Sequence, residues 1–222
     1  MKPIKIAHLY YDLMNLYGEN GNIRALVKTL TDHQVPYQLT KLSLGDDIDF
    51  KTYDLIYVGM GSEPNLILTL DHLKKYQVAI KEIIDNGTCF IVTGNALDLF
   101  TNNIKLKTKD YPGLGIIAAD AVEQEERQVG ERDFKVDFLD KPIIGFENCA
   151  TKLTNSLPLI KINNFYGTHL IGPLLVRNPY FTEYLVKTLL TEKKLKYHPL
   201  KEDISYLAYW EYVNNFINKK QP

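Results

Sequence analysis

The hydrophobic residues of the first half of the chain fall into short compact runs separated by stretches of helical spacing. Ile4–Leu9, Tyr37–Leu42, Asp54–Val58 and Cys89–Val92 are such runs and read as β-strands. After the first of them, Ile23, Leu26, Val27 and Leu30 recur at helical spacing, which predicts a helix running to about Asp32. Leu66 to Asn86 carries one or two helices and closes at Asn86-Gly87, where glycine accepts the left-handed backbone of a helix end. Strands that alternate with helices predict parallel βαβ units in one sheet.

The second half changes pattern. Ile116–Val122, Phe134–Phe138, Ile143–Glu147 and Leu159–Ile162 read as strands joined by short links marked by glycine or proline. Few helices intervene, so these strands are expected to be antiparallel or mixed. Pro179 to Leu195 is a helix with Phe181, Tyr184, Leu185 and Leu189 on its apolar side, and Ile204 to Ile217 is a second amphipathic stretch carrying Trp210. With no repeat, low-complexity tract or linker, the pattern predicts a single α/β domain over residues 1–222. Its central sheet is mostly parallel, with an antiparallel part added.

Composition narrows the function classes. The 222 residues are 45% hydrophobic and 24% charged, enough for an ordinary globular core without staples. A net charge of −1 leaves no electrostatic footprint for nucleic acid or an anionic membrane. No apolar run reaches the roughly 18 residues that span a bilayer, and the N-terminus lacks the apolar core of a signal peptide. Cys89 and Cys149 are far apart, and Cys89 lies inside an apolar run, as a buried free thiol does; a reduced, cytoplasmic protein is expected. No Cys/His cluster has metal-ligand spacing, and neither a P-loop lysine nor a GxGxxG pattern occurs, so no metal and no cofactor are expected.

In parallel α/β sheets ligands bind beyond the C-terminal ends of the strands. Three segments should meet there: Gly59–Ser62, Thr93–Asn95 and Gly167–Pro173. Gly59 and Gly61 suit either the close approach of backbone N–H groups to a ligand or a plain tight turn. Thr93 stands at the corner where Cys89–Val92 meets a helix-like pattern, the place of a nucleophile elbow. A β-branched residue resists positive φ, so Thr93 is expected in unstrained backbone, its hydroxyl capping the turn. Of the five histidines only His169 lies near this edge. If Leu170 points into the core, His169 and Ile171 point the other way, and His169 is either a base or a surface residue. Arg127 and Arg132 suit carboxylate binding, but the acids around them predict a solvated, salt-bridged loop.

Several segments together carry a family likeness. Asp12-Leu13-Met14-Asn15-Leu16-Tyr17-Gly18-Glu19-Asn20-Gly21-Asn22-Ile23 resembles the N-terminal signature of GatD-like (CobB/CobQ-like) class I glutamine amidotransferases. The likeness continues at Gly59-Met60-Gly61, Gly113-Leu114-Gly115, Gly145-Phe146-Glu147-Asn148 and Gly167 through Pro179. It implies a flavodoxin-like, three-layer fold. It also implies a domain that hydrolyses glutamine and passes ammonia to a Mur-ligase-like partner, amidating lipid II in peptidoglycan synthesis. In the family a Cys nucleophile attacks the glutamine carboxamide, a His serves as base and acid, and backbone N–H groups hold the oxyanion.

The departures fall on that chemistry. The family elbow reads Cys-Gly-Gly-Tyr-Gln where this chain has Thr93-Gly94-Asn95-Ala96-Leu97. The family loop reads Gly-Thr-Tyr-Leu-His-Gly-Pro; here Ile171 stands at the histidine and His169 appears two residues earlier. Met60 replaces a glycine, and Cys149 stands where the family often has histidine. Arg127 matches the arginine that holds the glutamine carboxylate. Cys89 is four residues before the corner, roughly 13 Å along an extended strand, too far to substitute. The resemblance thus implies a pseudo-glutaminase with a vestigial glutamine pocket of Gly59, Gly61, Gly94, Asn95 and Arg127. The alternative is an active glutaminase subunit with relocated residues, drawing on His169 and on Thr93 or Cys149.

Overall fold

The computed structural model describes residues 2–217. Strand β1 is Ile4–Leu9, helix α1 Asn20–Asp32, β2 Tyr37–Leu42, β3 Leu55–Val58, α2 Glu63–Leu73, α3 Gln77–Asp85 and β4 Cys89–Thr93. A 3-10 segment, Gly94–Phe100, follows β4 and leads to β5 Asn103–Lys105 and β6 Asp110–Pro112. The chain then forms a long hairpin of β7 Ala121–Val136 and β8 Leu139–Leu153. The remainder is β9 Ile160–Ile162, β10 Phe165–Thr168, β11 Leu170–Ile171, α4 Leu174–Arg177, α5 Pro179–Glu192 and α6 Ile204–Tyr212, continued by a π-helical turn to Ile217.

Among the described residues the main sheet runs β2-β1-β3-β4-β10-β9, with β9 alone antiparallel to its neighbour. Each central strand is buried on both faces, as parallel strands covered by helices must be. Alternation then sorts the side chains. Ile56, Val58, Phe90 and Val92 pack on the α2 and α3 side with Leu66, Leu70 and Ile80. Leu55, Tyr57, Cys89 and Ile91 pack on the α1 and α5 side with Leu26, Leu30, Phe181 and Leu185. The fold is therefore three-layered, as expected. Ser62 starts α2 by accepting the Asn65 N–H at 3.3 Å, and Pro64 sits in the first turn, where its missing N–H costs nothing.

The second sheet runs β11-β8-β7-β5-β6 and is antiparallel except where β5 pairs with β7. Here the sequence reading needs correction. The stretch Glu123–Arg132, expected as a loop, lies within β7, and Phe134–Phe138 belongs to the end of that strand and its turn. Beyond its buried first residue β7 is half-exposed or exposed throughout, so it lacks the apolar alternation that marks a strand. The strand expected at Ile116–Val122 starts only at Ala121. The N–H groups of Ile116 and Ile117 instead both bond the Phe100 carbonyl at the end of the 3-10 segment. Short β5, β6 and β10 escaped the reading. No helix among the described residues is long and apolar enough to cross a membrane.

Phe90, Phe100 and Phe165 interlock beneath the elbow with ring centroids 5.1–6.1 Å apart, all fully buried. Phe165→Ala is expected to cost about 3–5 kcal/mol, read as a lower urea midpoint at unchanged slope.

Candidate active site

The alternation that builds the sheet also aims Thr93. It follows Cys89 and Ile91 on the α1 and α5 face, so its side chain points at the start of α1. There Glu19 is fully buried, and its carboxylate oxygen Oε2 accepts hydrogen bonds from Thr93 Oγ1 and, at 2.7 Å, from the Tyr57 hydroxyl. Tyr57 also lies 2.9 Å from Thr93 Oγ1 and accepts from Asn22 Nδ2 at 2.8 Å. Asn22 in turn accepts the Leu175 N–H at 2.7 Å, which ties the knot to α4. Burial pushes the Glu19 carboxyl above its ordinary value of 4.5, against the lowering pull of the Thr93 and Tyr57 bonds. Sequence reasoning quoted Glu19 within a motif but gave it no role. An acidic residue just before a helix was the available signal, and Glu19 makes no side-chain cap bond.

Thr93 is extended, with φ −125° and ψ 151°, and the turn's positive φ falls on Gly94 at 62°. The expectation of an unstrained threonine matches this geometry. The expectation of a capping hydroxyl does not, because that hydroxyl is engaged with Glu19. The fold does bring the two family positions together. A Cβ added at Gly94 would lie 2.9 Å from Ile171 Cγ2 and 2.5 Å from Met60 Cβ. The corner is packed: Thr93, Met60, Leu97 and Ile171 are all at most 3% exposed.

The glycines of the first loop serve the protein's own packing. A Cβ at Gly59 would meet the Met14 carbonyl oxygen at 2.7 Å and the Tyr57 hydroxyl at 2.9 Å. The Gly61 N–H, which a ligand would need, donates to Asn95 Oδ1 at 3.1 Å, and Asn95 Nδ2 donates back to the Gly61 carbonyl at 2.8 Å. Arg127 reaches from β7 to Glu63 at 3.0 Å and to Asn148 Oδ1 at 3.0 Å. It borders, with Met60, Asn95 and Cys149, a cavity of about 20 Å³. Arg132 is paired with Glu147 at 2.8 Å and lines a different hollow.

His169 is not on the surface. Its Nε2 is 2.8 Å from Asp98 Oδ1, and its ring is 11% exposed. Leu170 packs into the α1 and α5 side of the core, while His169 and Ile171 point the other way, to Asp98 and Gly94, as the alternation predicts; both faces of β11 are buried. Burial opposes charge on His169, but neighbouring Cys149 and Asp98 outweigh it and hold the imidazole well above its ordinary 6.5. Asp98 Oδ2 accepts from Thr151 Oγ1 at 2.6 Å, and Cys149 Sγ lies 3.2 Å from that hydroxyl. No sequence spacing announced this group, because Asp98, Cys149 and His169 come from three distant segments.

A parallel sheet between helix layers, ending in a glycine-turned corner beside a second buried loop, is the frame of a class I glutamine amidotransferase. The CobB/CobQ-like glutamine amidotransferase domain matches residues 5–172, and the chain belongs to that family. It is similar to the lipid II isoglutaminyl synthase (glutamine-hydrolyzing) subunit GatD of Streptococcus pneumoniae, with 27% identity over 96% of this chain and 88% of that protein. To the same subunit of Staphylococcus aureus it is 25% identical over 91% of each. The crystal structure of a glutamine amidotransferase from Thermotoga maritima superposes with a TM-score of 0.50 at 11% identity, covering 95% of this chain and 90% of that one, a likeness of fold.

The sign of the Glu19 shift sets a pH dependence. Between 4.5 and its raised folded value, the unfolded chain has lost this proton and the folded one keeps it, so folding loses stability as pH rises. Glu19→Gln is expected to flatten that decline, seen by denaturant unfolding at a series of pH values as a variant that gains on the wild type with rising pH.

Proposed function

We propose that this protein is a GatD-like subunit that keeps the amidotransferase frame but does not hydrolyse glutamine at the family elbow. Its place is beside a Mur-ligase-like partner in lipid II amidation, as a scaffold or regulator. The carrying observation is the corner itself. A nucleophile there needs a free hydroxyl or thiol, a base and room for a carboxamide. Thr93 instead donates its hydroxyl hydrogen bond to Glu19, Ile171 offers no base, and Met60 fills the space above Gly94. The Gly61 N–H is closed off by Asn95, which supports a glutamine pocket that is vestigial.

A second reading draws on Cys149 and His169, which stand close together with Asp98. Those side chains have the types of a relocated nucleophile, base and orienting carboxylate. The cavity of about 20 Å³ beside Cys149 has room for roughly one water, and the hollow of about 230 Å³ lined by His169 does not include Cys149, so neither presents both groups to a glutamine side chain, which favours the first reading.

Purified protein, alone and with the Mur-ligase-like subunit, is expected to release ammonia from glutamine only at background. Loss of either partner in such a pair removes of order a millionfold in rate. Thr93→Cys/Ile171→His, with Met60→Gly to clear the space, is the comparison expected to gain activity. Wild-type ammonia release that Thr93→Ala abolishes would sink the proposal. Labelling of Cys149 by a diazoketone analogue of glutamine, mapped by mass spectrometry, would establish the second reading instead.

A further inference from the structure

We infer that Asp98, Cys149 and His169 form a binding site for a single zinc ion, independent of whether the elbow is active. One donor atom from each lies within 4.8 Å of the others: a carboxylate oxygen, a thiol sulfur and an imidazole nitrogen. Tetrahedral zinc with bonds of about 2.0–2.3 Å sets its ligand atoms roughly 3.3–3.7 Å apart. His169 Nε2 and Asp98 Oδ1, now 2.8 Å apart across a shared proton, need to separate by only a few tenths of an ångström to admit the ion.

The donor set is selective. A thiolate disfavours magnesium and calcium, which take oxygen ligands, whereas sulfur, nitrogen and carboxylate oxygen together are a zinc set. The charges also close. Zinc, Asp98 carboxylate, Cys149 thiolate and neutral His169 sum to zero, and binding releases the thiol proton and any proton on the imidazole. Thr151 stands behind two of the ligands. Its hydroxyl donates to Asp98 Oδ2, so Asp98 Oδ1, which faces His169, is the oxygen turned toward the metal position, and the hydroxyl lies 3.2 Å from Cys149 Sγ. Such outer contacts orient ligands and hold their lone pairs toward the ion.

A fourth position is available. The cavity of about 20 Å³ is bordered by Asp98, Cys149 and Thr151, with Arg127 at its rim, and holds about one water. Three protein ligands with one water is the open form of a zinc site. The ion would join three parts of the fold: the 3-10 segment after β4, strand β8 of the second sheet and the β10–β11 link.

The test uses the full-length protein stripped with chelator and titrated with Co2+ and with Zn2+. One equivalent of Co2+ is expected to give the near-ultraviolet sulfur-to-cobalt charge-transfer band of a thiolate ligand, displaced by Zn2+. The band should persist in Cys89→Ser, whose sulfur is buried elsewhere in the core, and vanish in Cys149→Ser. Thr151→Val should weaken Zn2+ binding about 10–100-fold. Zn2+ should raise the melting temperature of the wild type and leave that of His169→Ala unchanged. Absence of the band in the folded wild type overturns the site even if a variant fails to fold, and so does a band that survives Cys149→Ser.

Discussion

A carboxyl group buried at the C-terminal edge of a parallel sheet must find its partners inside the protein. Glu19 Oε2 finds them in Thr93 and Tyr57, while Oε1 has no hydrogen-bond partner among the described residues, and much of the local structure is arranged around this group. Tyr57 and Thr93 come from adjacent strands, and parallel pairing sets their side chains on one face. Asn22 extends the same knot from α1 to the backbone of Leu175. Four segments that are far apart in sequence are thereby fixed at the corner where this fold usually does its chemistry.

The same knot closes the corner. An acyl-transfer nucleophile has to present its hydroxyl or thiol to a substrate, and a threonine whose hydroxyl is committed to a buried carboxylate does not. The surrounding substitutions agree with this. Met60 and Ile171 are apolar and well packed, so the corner has the character of a core rather than a cleft. The backbone keeps the family's turn because Gly94 takes the positive φ and leaves Thr93 in the conformation that a β-branched residue prefers.

Polar chemistry nevertheless gathers one step away. Asp98, Cys149, Thr151 and His169 form a nearly dry cluster that links the two sheets at the level of the corner. Burial lowers the His169 imidazole there, and neighbouring Cys149 and Asp98 raise it above its ordinary value. Through Thr151 and Asp98 these contacts tie β8 of the second sheet to the segment that follows β4 of the main sheet.

The sequence by itself determined the three-layer core. Strands β1, β3 and β4 and helices α1, α2, α3 and α5 are legible because burial on one face or two imposes a period that residue types must follow. It also placed the three loops at one edge and marked Thr93 and Ile171 as the departures. It found only parts of the β7–β8 ribbon, at Ile143–Glu147 and Phe134–Val136, because most of β7 is wetted and carries no such period. Nor did it reveal the partners of Glu19 or the meeting of Asp98, Cys149 and His169. A hydrogen bond or a ligand set needs only two or three atoms in register, and chain folding alone brings those atoms from distant segments. The tertiary structure therefore decided where the polar groups go, while the apolar pattern had already decided what they are packed against.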